Sequence, residues 1–291
     1  MIWRKVSLKK IEFLYVSDFF LTQLIGGGEL NDHELCLILD SLGHSVKKIQ
    51  SNQLNLDTLL RNPDSFLIIS NFVNMSIEVK KEIEKNRIYV IYEHDHKYLK
   101  SRNPSTFKDF LAPSSEIINR SFYKNAKAVF CQSSFHEKII YKNLKIDNLI
   151  NLSGNLWSEK SLRNMSVLCN KIKKDCYSIL NSSNWHKNTS ETSFYCKKKG
   201  YNFQLVSSPD YNKFLSLLSE NDKFIFLPKT PETLSRVVVE ARMMGLKIIT
   251  NENVGASYEA WFDFKGLDLI EQMRIKRIDI PEKLLKVFHG E

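Results

Sequence analysis

Short apolar runs alternate along this chain with longer amphipathic stretches. Ile11–Ser17, Val46–Ile49, Phe66–Ser70, Ile88–Tyr92, Ala128–Cys131 and Leu149–Leu152 predict strands. Between them, Glu29–Leu42 sets Leu35, Ile38, Leu39 and Leu42 on one helical face and stops at Gly43. Ser76–Lys85 and Ser133–Asn143 predict further helices, the second opening on a serine cap. The rhythm then restarts. Strands are predicted at Tyr177–Leu180, Phe203–Val206, Phe224–Leu227 and Lys247–Thr250, and helices at Thr189–Lys199, Tyr211–Ser219, Leu234–Met244 and Ser257–Phe262. Such alternation implies parallel sheets covered by helices on both faces. The polar stretch Trp157–Lys174 separates the two series, so the chain divides into residues 1–160 and a shorter unit, 161–291.

Composition narrows the class. The 291 residues are 43% hydrophobic and 26% charged, ordinary globular usage that excludes disordered and fibrous chains. Two units of this size can bury their own cores without staples. Five cysteines with no C-x-x-C pair read as a reduced, cytoplasmic chain with no disulfide scaffold or zinc site. The basic start, Met1–Lys10, imitates a signal peptide, but Glu12, Asp18 and Gln23 interrupt the apolar stretch after it and no cleavage site follows. No apolar run reaches the roughly 18 residues of a membrane span. The net charge of +9 is shared by both halves and permits an anionic partner: a nucleotide, a nucleic acid or an acidic membrane surface met peripherally.

Glycine is scarce, with ten in the chain, yet Gly26, Gly27 and Gly28 stand together before the first long helix. Helix N-termini carry unpaired N–H groups that suit phosphate, and glycine lets the backbone approach it. The triplet does not complete G-x-G-x-x-G, whose last glycine would fall at Asn31, so a dinucleotide cofactor is not indicated. A second segment runs Pro228-Lys229-Thr230-Pro231-Glu232-Thr233-Leu234-Ser235-Arg236 and continues to Glu240-Ala241. Were the interval helical, Glu232 and Glu240 would lie about 12 Å apart.

In context, that segment resembles the E-x7-E motif of retaining GT-B glycosyltransferases of the large family-four type. Gly27-Gly28-Glu29 is similar to that family's glycine loop, and Tyr92-Glu93-His94-Asp95 to its H-D segment. Asn125–Ser133 resembles its "ADxVIxxS" strand and cap, Asn151–Asn155 stands where the family has "PNGVD", and Asn253–Glu259 resembles its later glycine turn. The order is the family's from Ile11 to Glu259. The resemblance implies an α/β fold of GT-B architecture, two Rossmann-like doubly wound domains facing a cleft, and a metal-independent, retaining hexosyltransferase. The donor would be a UDP- or GDP-sugar, with no other cofactor. The acceptor would be a glycan, a lipid or a nucleic acid. By position, Gly27 and Gly28 would face the diphosphate and Lys187 would pair with it. The N–H groups of Ser235 and Arg236 would cap the distal phosphate, and Glu240 would accept the ribose hydroxyls. Glu232 and His94 would hold the transferred sugar at the catalytic centre. Glu240 would then face the ligand, and its truncation would cost activity but little stability.

The chain also departs from the pattern. The family arginine before Lys187 is missing, and Asn188, Thr233 and Ser235 replace family glycines. These departures suit an alternative, a non-catalytic GT-B module that binds nucleotide or nucleic acid. Glu93-His94-Asp95-His96 could place carboxylates and imidazoles on one strand face around a cation, but the chain has no D-x-D. Lys197-Lys198-Lys199 reads as a solvated helix end. The basic and aromatic stretch Lys97–Phe110 reads as a partly buried loop rather than a nucleic-acid surface.

Overall fold

In a computed structural model describing residues 10–290, two parallel sheets form the framework. Apart from Lys10, the basic start lies outside the described residues. The first sheet is built from β1 (Glu12–Ser17), β2 (Ser45–Gln50), β3 (Phe66–Ile69), β4 (Tyr89–Tyr92), β5 (Val129–Cys131) and β6 (Leu149–Asn151). Its order is β2-β1-β3-β4-β5-β6, every pair parallel. Its helices are α1 (Gly27–Ser41), α2 (Leu56–Leu60), α3 (Ile77–Asn86), α4 (Arg120–Asn125) and α5 (Ser134–Leu144). Strands such as Phe66-Leu67-Ile68-Ile69 read as continuous apolar runs because both sheet faces are covered.

The second sheet contains β7 (Lys174–Leu180), β8 (Phe203–Val206), β9 (Asn221–Phe226) and β10 (Lys247–Thr250), in the order β10-β9-β7-β8 and again all parallel. Between the sheets runs α6 (Glu159–Cys169), followed in the second unit by α7 (Thr189–Lys199), α8 (Tyr211–Leu218), α9 (Arg236–Met243) and α10 (Gly266–His289).

The structure adds to the sequence reading at three places. The stretch 157–174 is polar but structured. It holds α6, whose Leu162, Met165 and Leu168 are buried in the second core, after Ser158 caps the helix by accepting from Ser161 N. Ser257–Phe262 forms two 3₁₀ turns, Gly255–Tyr258 and Ala260–Asp263, separated by Glu259 in an extended conformation. The 24-residue α10 escaped the pattern because Pro281 interrupts its second half. Its Leu269, Ile270 and Met273 join the second core, whereas Ile280, Leu284 and Leu285 join the core of the first sheet. Part of 161–291 therefore packs with the first unit. Arg277 ties the crossing by bonding Glu34 on α1 and the Trp157 carbonyl. Among the described residues, no helix is long and apolar enough to cross a membrane.

Each sheet changes winding direction once, between β1 and β3 in the first and between β7 and β9 in the second. At such a point the loops leaving neighbouring strand ends part and leave a crevice, where ligands of open parallel sheets sit.

Candidate active site

The loops at the carboxyl ends of both sheets enclose a cavity of about 750 Å3. Gly26, Gly27 and Gly28 enter it after β1, His94 after β4, Lys187 after β7, and Glu232, Ser235 and Arg236 after β9, with Glu240 on α9. The eight residues given site roles from the sequence line this one space, with Gly26 beside them. Glu232 and Lys187, 45 positions apart, meet because their strands are neighbours: Lys187 Nζ donates to Glu232 Oε1 at 2.8 Å and Oε2 at 3.0 Å. Lys187 also stands 5.8 Å from the centroid of the Phe226 ring.

Two helix starts face the cavity. Gly26 precedes α1 without a side-chain cap, so the first N–H groups there lack an intrahelical partner. The backbone angles at Gly26 (φ −136°) are ordinary, so the triplet is there for room. A Cβ on Gly27 would press on the Arg236 Cδ at 3.1 Å, and one on Gly28 would touch the His94 ring. At α9 the preceding residue, Ser235, lies in the left-handed region at φ 74° where the family has glycine. Its Oγ is buried with no partner among the described residues, as is the Oδ1 of Asn155, another residue of the cavity wall. Buried polar atoms without partners are uncommon in proteins.

Glu240 is held from three directions. Its Oε1 accepts from Trp157 Nε1 at 2.9 Å and from the Tyr211 hydroxyl at 2.7 Å, and Arg236 Nε stands 3.6 Å away. Arg236 lies over the Trp157 ring, 4.4 Å from its centroid, and donates to the Leu156 carbonyl. Burial, and then the neighbouring carboxylate, push the Tyr211 phenol well above its usual range, so it stays a donor. Glu240 is thus a packed junction as well as a cavity-lining residue.

His94 is similarly committed. One ring nitrogen meets Asp32 on α1, and the other meets the Gln132 amide. Asp32 also accepts from Tyr15 at 2.8 Å and Ser70 at 2.6 Å. Thr233 donates to Gln132 Oε1 at 2.9 Å. One assignment satisfies the chain: Thr233 donates to Gln132, Gln132 to His94 Nδ1, and His94 Nε2–H to Asp32. Both imidazole nitrogens are therefore spent on protein, and Thr233 joins the two units. Gly255 is required beside it, since an added Cβ would overlap the Thr233 carbonyl.

Sequence reading passed over Asp32, Gln132, Trp157 and Tyr211. A signal existed for Asp32, which precedes Leu35 by three and so shares the inward face of α1. Trp157 carried none, because its partner Glu240 is 83 residues away. In the stretch 93–110, Glu93 pairs with Lys97 and bonds Tyr123, all buried, and Tyr98 is buried too. Among the described residues no group of three or more His, Cys, Asp or Glu is placed to hold a metal ion.

No family model matches the chain, and no curated protein is significantly similar to it in sequence. Solved structures are similar in three dimensions. The catalytic domain of starch synthase IV from Arabidopsis thaliana, bound to ADP and acarbose, superposes with a TM-score of 0.54 at 9% identity, over 86% of this chain and 84% of that one. HepE from Anabaena, in complex with UDP and glucose, gives 0.51 at 11%, over 95% and 92%. The E. coli trehalose-6-phosphate synthase bound with UDP-2-fluoro glucose gives 0.51 at 7%, over 94% and 95%. Two parallel sheets with their carboxyl edges turned to one cleft, in a whole-chain match to these enzymes, give this chain the GT-B glycosyltransferase fold.

Proposed function

We propose that this chain is a glycosyltransferase taking a nucleotide-sugar donor, a UDP- or GDP-sugar, in the cavity between its sheets. The observation carrying the reading is convergence: Lys187, Glu232, Glu240 and two helix starts line one space of about 750 Å3. Similarly folded structures were solved with ADP or UDP bound, which supports a nucleotide in the corresponding place. In the reaction an acceptor hydroxyl oxygen bonds to the anomeric carbon as the bond to the diphosphate oxygen breaks. The hydroxyl proton leaves with the nucleoside diphosphate. Charge grows on that diphosphate, and fixed N–H dipoles with Lys187 in a water-poor cleft stabilise it, with no metal ion in the reading. Retention of configuration follows the family resemblance.

Glu232 pairs with Lys187 at 2.8 Å. The donor would separate the pair, taking Lys187 to its diphosphate and leaving Glu232 to sugar hydroxyls. The committed state of His94 argues for a rigid wall rather than a proton carrier. The roles read for Gly27, Gly28, Ser235 and Arg236 stay with the diphosphate. For Glu240, ribose would take the second carboxylate oxygen, since Oε1 is already occupied.

A thermal-shift panel of UDP, GDP, ADP and their glucose conjugates tests the reading, because a ligand at 100 times its Kd stabilises by about 2.7 kcal/mol. At least one nucleotide should raise the melting temperature, and Lys187→Ala should weaken that nucleotide about tenfold or more, the equivalent of about 1.4 kcal/mol. No shift with any of them would leave the non-catalytic nucleic-acid module as the better reading.

A further inference from the structure

A second cavity, of about 320 Å3, opens beside the first and shares His94, Lys187, Glu232 and Thr233 with it. Its remaining walls come from other segments. Asp95, Arg102 and Asn103 follow β4, while Asn184, His186 and Thr230 come from the loops after β7 and β9. We infer that this cavity is the acceptor site and that it takes a neutral, hydroxyl-rich ring, such as a terminal hexose. The inference rests on the donor reading, which puts the reacting carbon near Lys187 and Glu232, where the two cavities meet.

The lining excludes the other acceptor classes. No leucine, isoleucine, valine or phenylalanine faces this cavity, so a lipid chain would bury polar groups without partners. A nucleic acid needs cations free to meet phosphates. Here each cation already has a carboxylate: Lys187 has Glu232 at 2.8 Å and Arg102 has Asp95 at 3.4 Å. A polyanion would face both carboxylates at close quarters.

What remains suits hydroxyls. Where a carboxylate stands beside a guanidinium, the carboxylate accepts from one hydroxyl and the guanidinium donates to its neighbour, a pairing matched to vicinal diols. The Nδ1 of His186 is buried and has no partner among the described residues. Trp185 stacks on His186 at 4.0 Å between centroids, yet is 59% exposed. Trp185 itself stands outside the cavity wall and backs the His186 imidazole that forms part of it. Arg102 is held in the left-handed region at φ 53°, a strained state that persists where surrounding structure fixes a side chain in place. The volume lies at the low end for small-molecule sites, fitting one ring rather than a stretch of polymer.

Saturation-transfer NMR on the full chain, with UDP present, tests this using methyl α-glucoside, methyl α-galactoside and methyl α-mannoside. A short DNA duplex and phosphatidylglycerol vesicles serve as competitors. At least one glycoside should receive saturation, and Arg102→Ala and Trp185→Ala should each weaken it about tenfold. Both side chains are more than half exposed, so folding should survive, and Asp95→Asn provides a conservative third variant. The inference is overturned if no glycoside binds, if binding is indifferent to all three substitutions, or if duplex or vesicle displaces the glycoside through Arg102. UDP is observed in the same tubes. If UDP fails to bind while the glycoside responds to Arg102, the donor reading falls and the hydroxyl-ring site stands.

Discussion

Glu240→Ala is the sharpest probe of how this cleft is assembled. If Glu240 merely faced a ligand, truncation would remove activity and leave stability alone. The structure predicts otherwise. Removing the carboxylate strands the Trp157 indole N–H and the Tyr211 hydroxyl, and strips Arg236 of the anion 3.6 Å away. Each stranded donor costs about 1–3 kcal/mol, and breaking a buried ion pair by losing one partner costs about 3–5 kcal/mol. The terms overlap, and Arg236 keeps the Leu156 carbonyl and the Trp157 ring, so about 3–5 kcal/mol in all is expected. At about 2–4 °C per kcal/mol the melting temperature should drop by about 6–20 °C. Glu240→Gln keeps an acceptor oxygen for Trp157 and Tyr211 and should lose only about 1 kcal/mol. Calorimetry of the three proteins without ligand decides. A Glu240→Ala variant melting within about 2 °C of the parent, less than 1 kcal/mol by the same conversion, would refute the junction.

Ser235→Gly should stabilise the fold and weaken the ligand. Glycine relieves the left-handed strain of about 1–2 kcal/mol, partly offset by its own entropy, for a net rise of about 2–4 °C. If the orphan Oγ contacts phosphate, titration of the bound nucleotide should show a weaker Kd in the same variant. Acid sensitivity should trace to buried histidines. Burial, and then Lys97, hold His96 down to about 3, and burial with His96 beside it holds His136 well below its usual value. Both are neutral in either state above pH 6.5. Below it only the unfolded chain takes up the protons, so stability falls; for His96 the fall runs between pH 6.5 and about 3 and amounts to about 2 kcal/mol at pH 5. His96→Phe should flatten the fall in melting temperature between pH 7 and 5; an unchanged slope would assign the loss to other groups.

Much of the framework was legible in one dimension. Phe203–Val206, Lys247–Thr250 and Thr189–Lys199 have the bounds their pattern implies, because a short apolar run between polar turns and a helix ended at glycine each leave a local mark. Convergence of the predicted site residues was legible too, since each lies in a segment that follows a strand, either the loop or the start of the next helix, and parallel winding brings those segments to one edge. Mistakes came where tertiary contact overrides local pattern. The charged surface of α6 hid a buried stripe, and α10 serves two cores in turn, so neither half shows one clean face.

Sequence alone determined the alternation of strands and helices, and with it parallel sheets, strand-end loops and the glycine and glutamate positions within them. Tertiary structure decided what those residues touch. Strand order put Lys187 against Glu232; the path after β6 delivered Trp157 to Glu240; and packing of α1 on β4 gave His94 to Asp32. Local spacing encodes backbone hydrogen bonding and burial, which repeat every two or 3.6 residues. A contact between residues 45 or 83 apart obeys no period, and exists only once the strands have paired and the chain has folded back on itself.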